Sequence, residues 1–426
     1  MSEVMQRSTR ERLKATLRRG EEALSPRVLR RTLAELQAVV DAQVGEVEGG
    51  RRAQGVIDWY QHATPEQRRD MWLLMSEQFL QDPQRVKEAR AIYDAAVGTP
   101  DEAAAEVMYR RATVSPRRRL LQRMSAAQGG IRFLVEMRAE MQAALKSDRR
   151  LLALDVEMEY MFSTWFDVAF LDLQRISWDS PASLVEKLIK YEAVHDIRSW
   201  SDVKNRLDSD RRCYGFFHAS LPGEPLIFVE VALVDEMADS ITPLLDEEGA
   251  PADLERATTA IFYSISNTQP GLRGVSFGDS LIKRVVDILK AEFPRLKCFA
   301  TLSPIPGLRS WVQKNAPAEL VAALDDPLAL PAKSPQRRQL LGWAARYLGQ
   351  EKQEGRPLDP VARFHLGNGA RVERLNWAAD PSAKGLKQSY GLMVNYLYDL
   401  KRLDKHRSML AQGQIPISGA IEDLYL

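Results

Sequence analysis

The chain has 426 residues, 45% of them hydrophobic and 27% charged, and its 59 Lys and Arg nearly balance 58 Asp and Glu, for a net charge of +1. That length accommodates two or three domains with sizeable cores, and the charge balance excludes a global field for nucleic acid or a membrane surface. Cys213 and Cys298 are the only cysteines, which excludes a disulfide framework and a Cys-rich metal site.

Both cysteines adjoin apolar runs and read as buried free thiols, as a reducing cytoplasm allows. No apolar run approaches the length of a membrane span. The first segment carries Arg7, Arg10, Arg12, Lys14, Arg18 and Arg19, but Glu3, Glu11, Glu21 and Glu22 interrupt it. A transit peptide is poor in acidic residues, so an exposed helix in a cytoplasmic protein is expected. The closing Asp-Leu-Tyr-Leu is not a peroxisomal tripeptide.

Residues 1–165 read as helix almost throughout. Ser25-Pro26, Thr64-Pro65, Asp82-Pro83, Thr99-Pro100 and Ser115-Pro116 each set a capping side chain before a Pro at the first helical position. Thr64 with Gln67 and Thr99 with Glu102 also have capping-box spacing. Met71, Leu74, Met75 and Phe79 recur at helical spacing. No catalytic cluster is visible here, and the segment reads as a bundle for packing or oligomerisation.

The pattern then changes. Leu226 to Leu233 and Ile261 to Ser266 are short apolar runs that predict strands. Leu281, Ile282, Val285, Val286, Leu289 and Phe293 line one side of a predicted helix. Cys298 to Leu302 and Met393 to Leu400 predict further strands. Residues 315–360 read as a helical insertion, with Ser334-Pro335 as one start. Strand, Gly-rich turn, helix and strand make an α/β module.

The Gly-rich turn, Gln269-Pro270-Gly271-Leu272-Arg273-Gly274-Val275-Ser276-Phe277-Gly278-Asp279-Ser280, leads into the helix at 281. Glycines bring backbone N–H groups close to a ligand, and a helix N-terminus favours an anion. The spacing is neither a dinucleotide fingerprint nor a Walker loop. Taken alone, it suits either a structural turn or a pyrophosphate site, with Asp279 assigned to helix capping.

Two later segments concentrate the chemistry. Ser303 lies in Phe299-Ala300-Thr301-Leu302-Ser303-Pro304-Ile305-Pro306-Gly307, at a strand end where α/β folds place ligands. His365 lies in Phe364-His365-Leu366-Gly367-Asn368-Gly369-Ala370, where the glycine turn is expected to let it project. The chain has only five histidines, at 62, 195, 218, 365 and 406, and His is the readiest acid near neutral pH. Locally, Ser303 reads as a turn-forming serine or a reacting one, and His365 as structural or as a general acid. His218 is a weaker candidate; His62, His195 and His406 read as surface residues. No G-x-S-x-G elbow surrounds Ser303, which disfavours a serine hydrolase.

These segments resemble the malonyl-CoA decarboxylase family. The resemblance runs from about Tyr214 to Asp399. It includes Pro222-Gly223-Glu224-Pro225-Leu226, Tyr263-Ser264-Ile265-Ser266-Asn267-Thr268-Gln269, Leu281-Ile282-Lys283-Arg284-Val285-Val286, Leu302-Ser303-Pro304-Ile305-Pro306-Gly307, Asn368-Gly369-Ala370, Leu375-Asn376-Trp377 and Gly391-Leu392-Met393-Val394-Asn395-Tyr396. It implies a two-domain α+β chain: an all-α N-terminal bundle over 1–165, serving oligomerisation, then an α/β catalytic domain over 166–426 with a GNAT acyltransferase-like fold and a helical insertion.

The implied reaction converts malonyl-CoA to acetyl-CoA and carbon dioxide through an enolate, with no cofactor and no metal. The resemblance assigns Ser303 and His365 as catalytic, with His365 as proton donor, and Ser264 and Tyr398 as further polar active-site positions. It places the coenzyme A pyrophosphate on Arg273, Gly274, Val275, Ser276, Phe277, Gly278 and Asp279. Ser276 departs from the family, some members of which carry a glutamate there that has been implicated in catalysis. The partners implied are malonyl-CoA, acetyl-CoA and a second copy of the chain, in a dimer or tetramer, with no nucleic acid and no membrane. Two other readings stay open: a GNAT acyltransferase acting on an amine, and a non-catalytic acyl-CoA sensor.

Overall fold

The computed structural model describes residues 25–41, 43–275, 277 and 281–425. The basic first segment lies outside them, as do Ser276, Gly278 and Asp279 with its expected capping role. Two compact units emerge. Of the described residues, one comprises those up to Phe166 together with 219–221 and 269–275; the other holds the remainder. Among the described residues no helix is long and apolar enough to cross a membrane.

The first unit contains α1 (Pro26–Val40), α2 (Glu46–His62), α3 (Pro65–Gln78), α4 (Pro83–Ala96), α5 (Glu102–Thr113), α6 (Pro116–Ser125), α7 (Gly130–Ala144) and α8 (Leu152–Trp165). The caps of Ser25, Thr64 and Asp82 form, and Thr64 with Gln67 makes the full reciprocal box. Two expected caps do not. Thr99 sits in a turn and donates to the Ala96 carbonyl at 2.7 Å, and α5 starts behind Asp101 instead. Ser115 precedes α6, but its hydroxyl donates to Glu157 of α8 at 3.0 Å, a charged acceptor that outcompetes a backbone amide. Met71, Leu74, Met75 and Phe79 are all buried, as their spacing predicts.

The first part of the Gly-rich turn, from Gln269 to Val275, belongs to this unit, although its sequence lies in the stretch expected to form the catalytic domain. Arg138 of α7 explains why. Its buried guanidinium donates to Asp155 at 2.8 Å and to the carbonyls of Gly271 and Arg273 at 2.8 and 3.0 Å. Gly271 is required by contact: a Cβ there would stand 1.9 Å from the Val135 carbonyl oxygen.

The second unit is built on β1 (Asp172–Ile176), α9 (Ala182–Tyr191), α10 (Trp200–Arg206), β2 (Arg211–Phe217), β3 (Pro225–Val234), β4 (Thr259–Asn267), α11 (Leu281–Glu292), β5 (Cys298–Thr301) and β6 (Ser303–Pro304). It continues through α12 (Leu308–Asn315), α13 (Ala318–Ala323), α14 (Pro335–Gly349), the small hairpin β7 (Lys352–Gln353) and β8 (Arg356–Pro357), and α15 (Pro360–Gly367). It closes with β9 (Arg371–Asn376), α16 (Ala383–Ser389), β10 (Met393–Leu397), α17 (Leu403–Ala411) and α18 (Gly419–Glu422).

Strands β1 to β4 form an antiparallel run, and β4 then pairs in parallel with β5. The crossover between them is α11, which buries Leu281, Ile282, Val285, Val286 and Leu289. Strand β10 lies antiparallel to β5 and β6 on one side and to β9 on the other. Residues 315–360 carry α13, α14 and the hairpin of β7 and β8, and Ser334 caps α14 as expected. Strands β1, β2 and β9 were not foreseen, because Arg and Asp residues disguise them; Arg211 and Arg212 of β2 are nonetheless buried.

One irregularity positions the site. The parallel ladder runs from Thr259 beside Cys298 only as far as Phe262 beside Thr301, and the Leu302 N–H still reaches the Phe262 carbonyl at 3.0 Å. At Leu302 the path breaks into β5 and β6, and Pro304 has no N–H to continue a ladder. Opposite the break, side chains substitute for backbone pairing. Asn395 Nδ2 donates to the Thr301 carbonyl at 2.7 Å, and the Tyr396 N–H donates to Thr301 Oγ1 at 3.1 Å.

Candidate active site

Ser303 opens β6 directly after the break, and it is buried. His365 reaches it from α15. Asp359 caps that helix by accepting from the Val361 and Ala362 amides, each at 2.9 Å, and Pro360 occupies its first position. His365 therefore sits in the last turn of a helix. The glycine turn closes that helix, with the Ala370 N–H on the His365 carbonyl at 3.1 Å, and does not itself carry the side chain.

Ser303 Oγ lies 3.2 Å from His365 Nε2 and 2.8 Å from Thr301 Oγ1. On the other side of the ring, Nδ1 lies 2.7 Å from the Tyr398 hydroxyl. The Tyr396 ring stacks on the imidazole at 4.7 Å between centroids. Positions 62 and 33 apart in sequence are thereby joined in one buried chain of hydrogen bonds. Burial sets the charge state: it pushes the His365 pKa down to about 3 and the Tyr398 phenol well up. At neutral pH both are uncharged, and an anionic substrate beside the ring would move His365 back up.

Ser264 is not bonded into this chain. Its hydroxyl lies 2.7 and 2.8 Å from the two carboxylate oxygens of Glu192, and Ser266 adds a third bond at 3.0 Å. Glu192 also accepts the amides of Val194 and His195 at 2.8 and 2.9 Å. By register Ser264 lies two positions past Phe262, as Ser303 lies two past Thr301, so both follow the end of the parallel ladder.

Of the Gly-rich turn, Arg273 and Gly274 are exposed and Val275 and Phe277 buried. The amides of Arg273 and Val275 donate inward to the carbonyls of Pro270 and Leu272 at 3.1 Å each. Gly274 has φ of 83°, the left-handed region that favours glycine.

The remaining histidines divide. His62 is exposed and His218, after β2, half-buried. His195 and His406 are buried, contrary to their polar surroundings in sequence; His406 donates from Nδ1 to the Gly369 carbonyl at 3.0 Å. Cys213 is buried, whereas Cys298 is only half-buried. Among the described residues, no three His, Cys, Asp or Glu side chains gather as a metal site would require. Sequence reasoning missed Thr301, Tyr396 and Glu192. The polar alternation of Thr301 and Ser303 along an apolar strand was a usable signal for the first; Glu192 had none.

Two family models match the chain: the malonyl-CoA decarboxylase C-terminal domain over residues 169–426 and its N-terminal domain over 79–166. The mitochondrial malonyl-CoA decarboxylase of Rattus norvegicus is 39% identical over 336 residues, covering 70% of this chain and 68% of the rat protein. The crystal structure of malonyl-CoA decarboxylase from Rhodopseudomonas palustris is similar with a TM-score of 0.81 and 40% identity, over 93% of this chain and 99% of that one. That from Cupriavidus metallidurans gives 0.73 and 42%, over 93% and 100%. With both halves matched and its site assembled from the segments that carry the likeness, the chain belongs to the malonyl-CoA decarboxylase family.

Proposed function

We infer that the protein decarboxylates malonyl-CoA to acetyl-CoA. The bond between C2 and the carboxylate breaks, its electron pair passes into the thioester as an enolate, carbon dioxide leaves, and a proton is delivered to C2. The observation that carries this reading is the buried His365 held between Ser303 on Nε2 and Tyr398 on Nδ1. Ser303 would orient the malonyl carboxylate or carbonyl by its hydroxyl. His365 would donate to the enolate, and a fixed donor at a developing oxyanion is worth roughly 3–4 kcal/mol. Tyr398 would support the ring from behind. Ser264 would act only through the local structure, since its hydroxyl is engaged by Glu192.

Acyl transfer to an amine is the second reading, and the match of both halves of the chain to malonyl-CoA decarboxylase domains weighs against it. Incubating the purified protein with malonyl-CoA in chelator, with and without an amine, separates the readings. Carbon dioxide and acetyl-CoA are expected in both mixtures. An N-acyl product, or activity only after a divalent metal is restored, would overturn the assignment.

The coenzyme A pyrophosphate is proposed to meet the Gly-rich turn. Because the Arg273 and Val275 amides turn inward, the outward-facing part of the loop at Gly274 is the favoured contact. Replacing Gly274 by Val should weaken coenzyme A binding, and unchanged affinity would move the phosphates elsewhere. Self-association is proposed through the helical unit. Ile92, Val97, Val107, Met108 and Val114, on or beside α4 and α5, are exposed apolar residues without chemistry. A monomer at micromolar concentration would contradict it. The cytoplasm is the proposed compartment, supported by two unpaired thiols; cell fractionation tests it.

A further inference from the structure

We propose that Thr301 is a positioning residue of this site: in the free protein its hydroxyl oxygen accepts the hydrogen bond of the Ser303 O–H, and this leaves His365 protonated on Nε2, the nitrogen that faces Ser303. The proposal rests on the reading of Ser303 and His365 as the reacting pair.

One proton decides the arrangement. A serine hydroxyl has a single hydrogen to donate. Among the described residues, Ser303 Oγ has two hydrogen-bonding neighbours, Thr301 Oγ1 at 2.8 Å and His365 Nε2 at 3.2 Å. The shorter distance is normal for O–H to O, and the longer suits N–H to O. So Ser303 donates to Thr301 and accepts from Nε2–H. The far side of the ring gives the same answer independently. Tyr398 lies 2.7 Å from Nδ1, a length that suits an O–H donor, and a phenol is a better donor than acceptor toward a neutral imidazole. A nitrogen that accepts from Tyr398 carries no proton, which again puts the ring proton on Nε2.

Thr301 is built to hold this arrangement. It is wholly buried at the end of β5, and its oxygen also accepts the Tyr396 N–H at 3.1 Å, across the gap where the sheet ladder breaks. The acceptor is therefore pinned by β10 and does not follow Ser303. Without it, the Ser303 proton would turn to the other neighbour among the described residues, Nε2. That bond requires a bare Nε2, so the ring proton would move to Nδ1 with Tyr398 as its acceptor. The imidazole would then face the substrate as an acceptor, with no proton to deliver on that side.

The test is nitrogen NMR of full-length protein labelled at histidine, with the His365 signals assigned by their loss in His365→Asn. The wild type should show a bare Nδ1 and a protonated Nε2. Thr301→Val should reverse the two and lower kcat by about tenfold or more with KM little changed, below the roughly 10²–10⁴ of a positioned proton donor itself. Thr301→Ser, which restores the oxygen, should recover both. A wild-type Nδ1–H form overturns the proposal outright, whether or not Thr301→Val folds. So does Thr301→Val with an unchanged tautomer. Near-normal turnover in both His365→Asn and Ser303→Ala would instead remove the reacting-pair reading, while the tautomer measurement would still judge the bond to Thr301.

Discussion

Tyr398 stands behind His365: its hydroxyl lies 2.7 Å from Nδ1, on the side of the ring opposite Ser303, which lies 3.2 Å from Nε2. The two bonds fix the ring's direction as well as its place. An imidazole held on one nitrogen only would swing about that bond; held on both, and stacked under Tyr396, it has one orientation. Tyr398→Phe keeps the ring packing and deletes the rear bond. Turnover should fall by about tenfold or more with KM nearly unchanged. Wild-type kcat in that variant would reduce Tyr398 to packing.

The burial of His365 also has a consequence for stability. Its ordinary value of 6.5 falls to about 3 in the folded protein. Below about pH 6.5 the unfolded chain therefore binds a proton that the folded one does not, and stability drops as pH falls toward 3, by at most about 1.4 kcal/mol per unit. His195, lowered to about 4 by burial, acts in the same direction. Glu230 acts in the opposite one: burial raises it to about 7, so its share is present in acid and lost as pH rises through 7. Comparison with His365→Asn isolates the first contribution. The wild type should lose stability relative to the variant between pH 6.5 and 4.5 in denaturant titrations. Parallel curves would show that His365 is solvated when folded.

The sequence was most legible where one physical signal dominated. Short continuous apolar runs located β3, β4 and β5, and the face of α11 was readable from its spacing alone. Serine or aspartate before proline marked α1, α4 and α14 correctly. It also marked the start of α6 at Ser115, although a distant carboxylate took that hydroxyl, and it misled at Thr99, whose hydroxyl is spent in a local turn. Strand β2 was hidden because Arg211 and Arg212 are charged; Arg211 pairs with its neighbour Asp210, whereas the partner of Arg212, Glu292, comes from 80 positions away. At the site, the resemblance named Ser303, His365 and Tyr398, but nothing local could join them. The same limit explains Ser264. A serine on a buried strand is visible in sequence, whereas the carboxylate that claims its hydroxyl comes from 72 positions away.

That carboxylate makes Ser264 a test of structure against chemistry. Ser264→Ala leaves Glu192 with Ser266 and two backbone donors, but it removes one bond from a buried charged acceptor. The expected cost is about 1–3 kcal/mol of stability, with kcat reduced less than in Ser303→Ala. A stable variant with strongly reduced kcat would instead place Ser264 in direct contact with substrate.

The central prediction concerns the pair itself. His365→Asn keeps a polar side chain in the same helix turn but cannot donate as an imidazole does, so kcat should fall by at least about 10², the low end for a positioned proton donor. Substrate affinity should be largely kept. Ser303→Ala should also lower kcat, though less, because water can occupy the space of a hydroxyl. The two side chains touch at 3.2 Å and share one hydrogen-bonded chain, and groups that act as a unit are not additive. The double variant should therefore be little worse than His365→Asn alone. Losses that multiply would mean that Ser303 and His365 act on different parts of the substrate. Near-normal turnover in His365→Asn would remove it from the reaction and leave Tyr398, with His218 after β2, as the next proton donors to test.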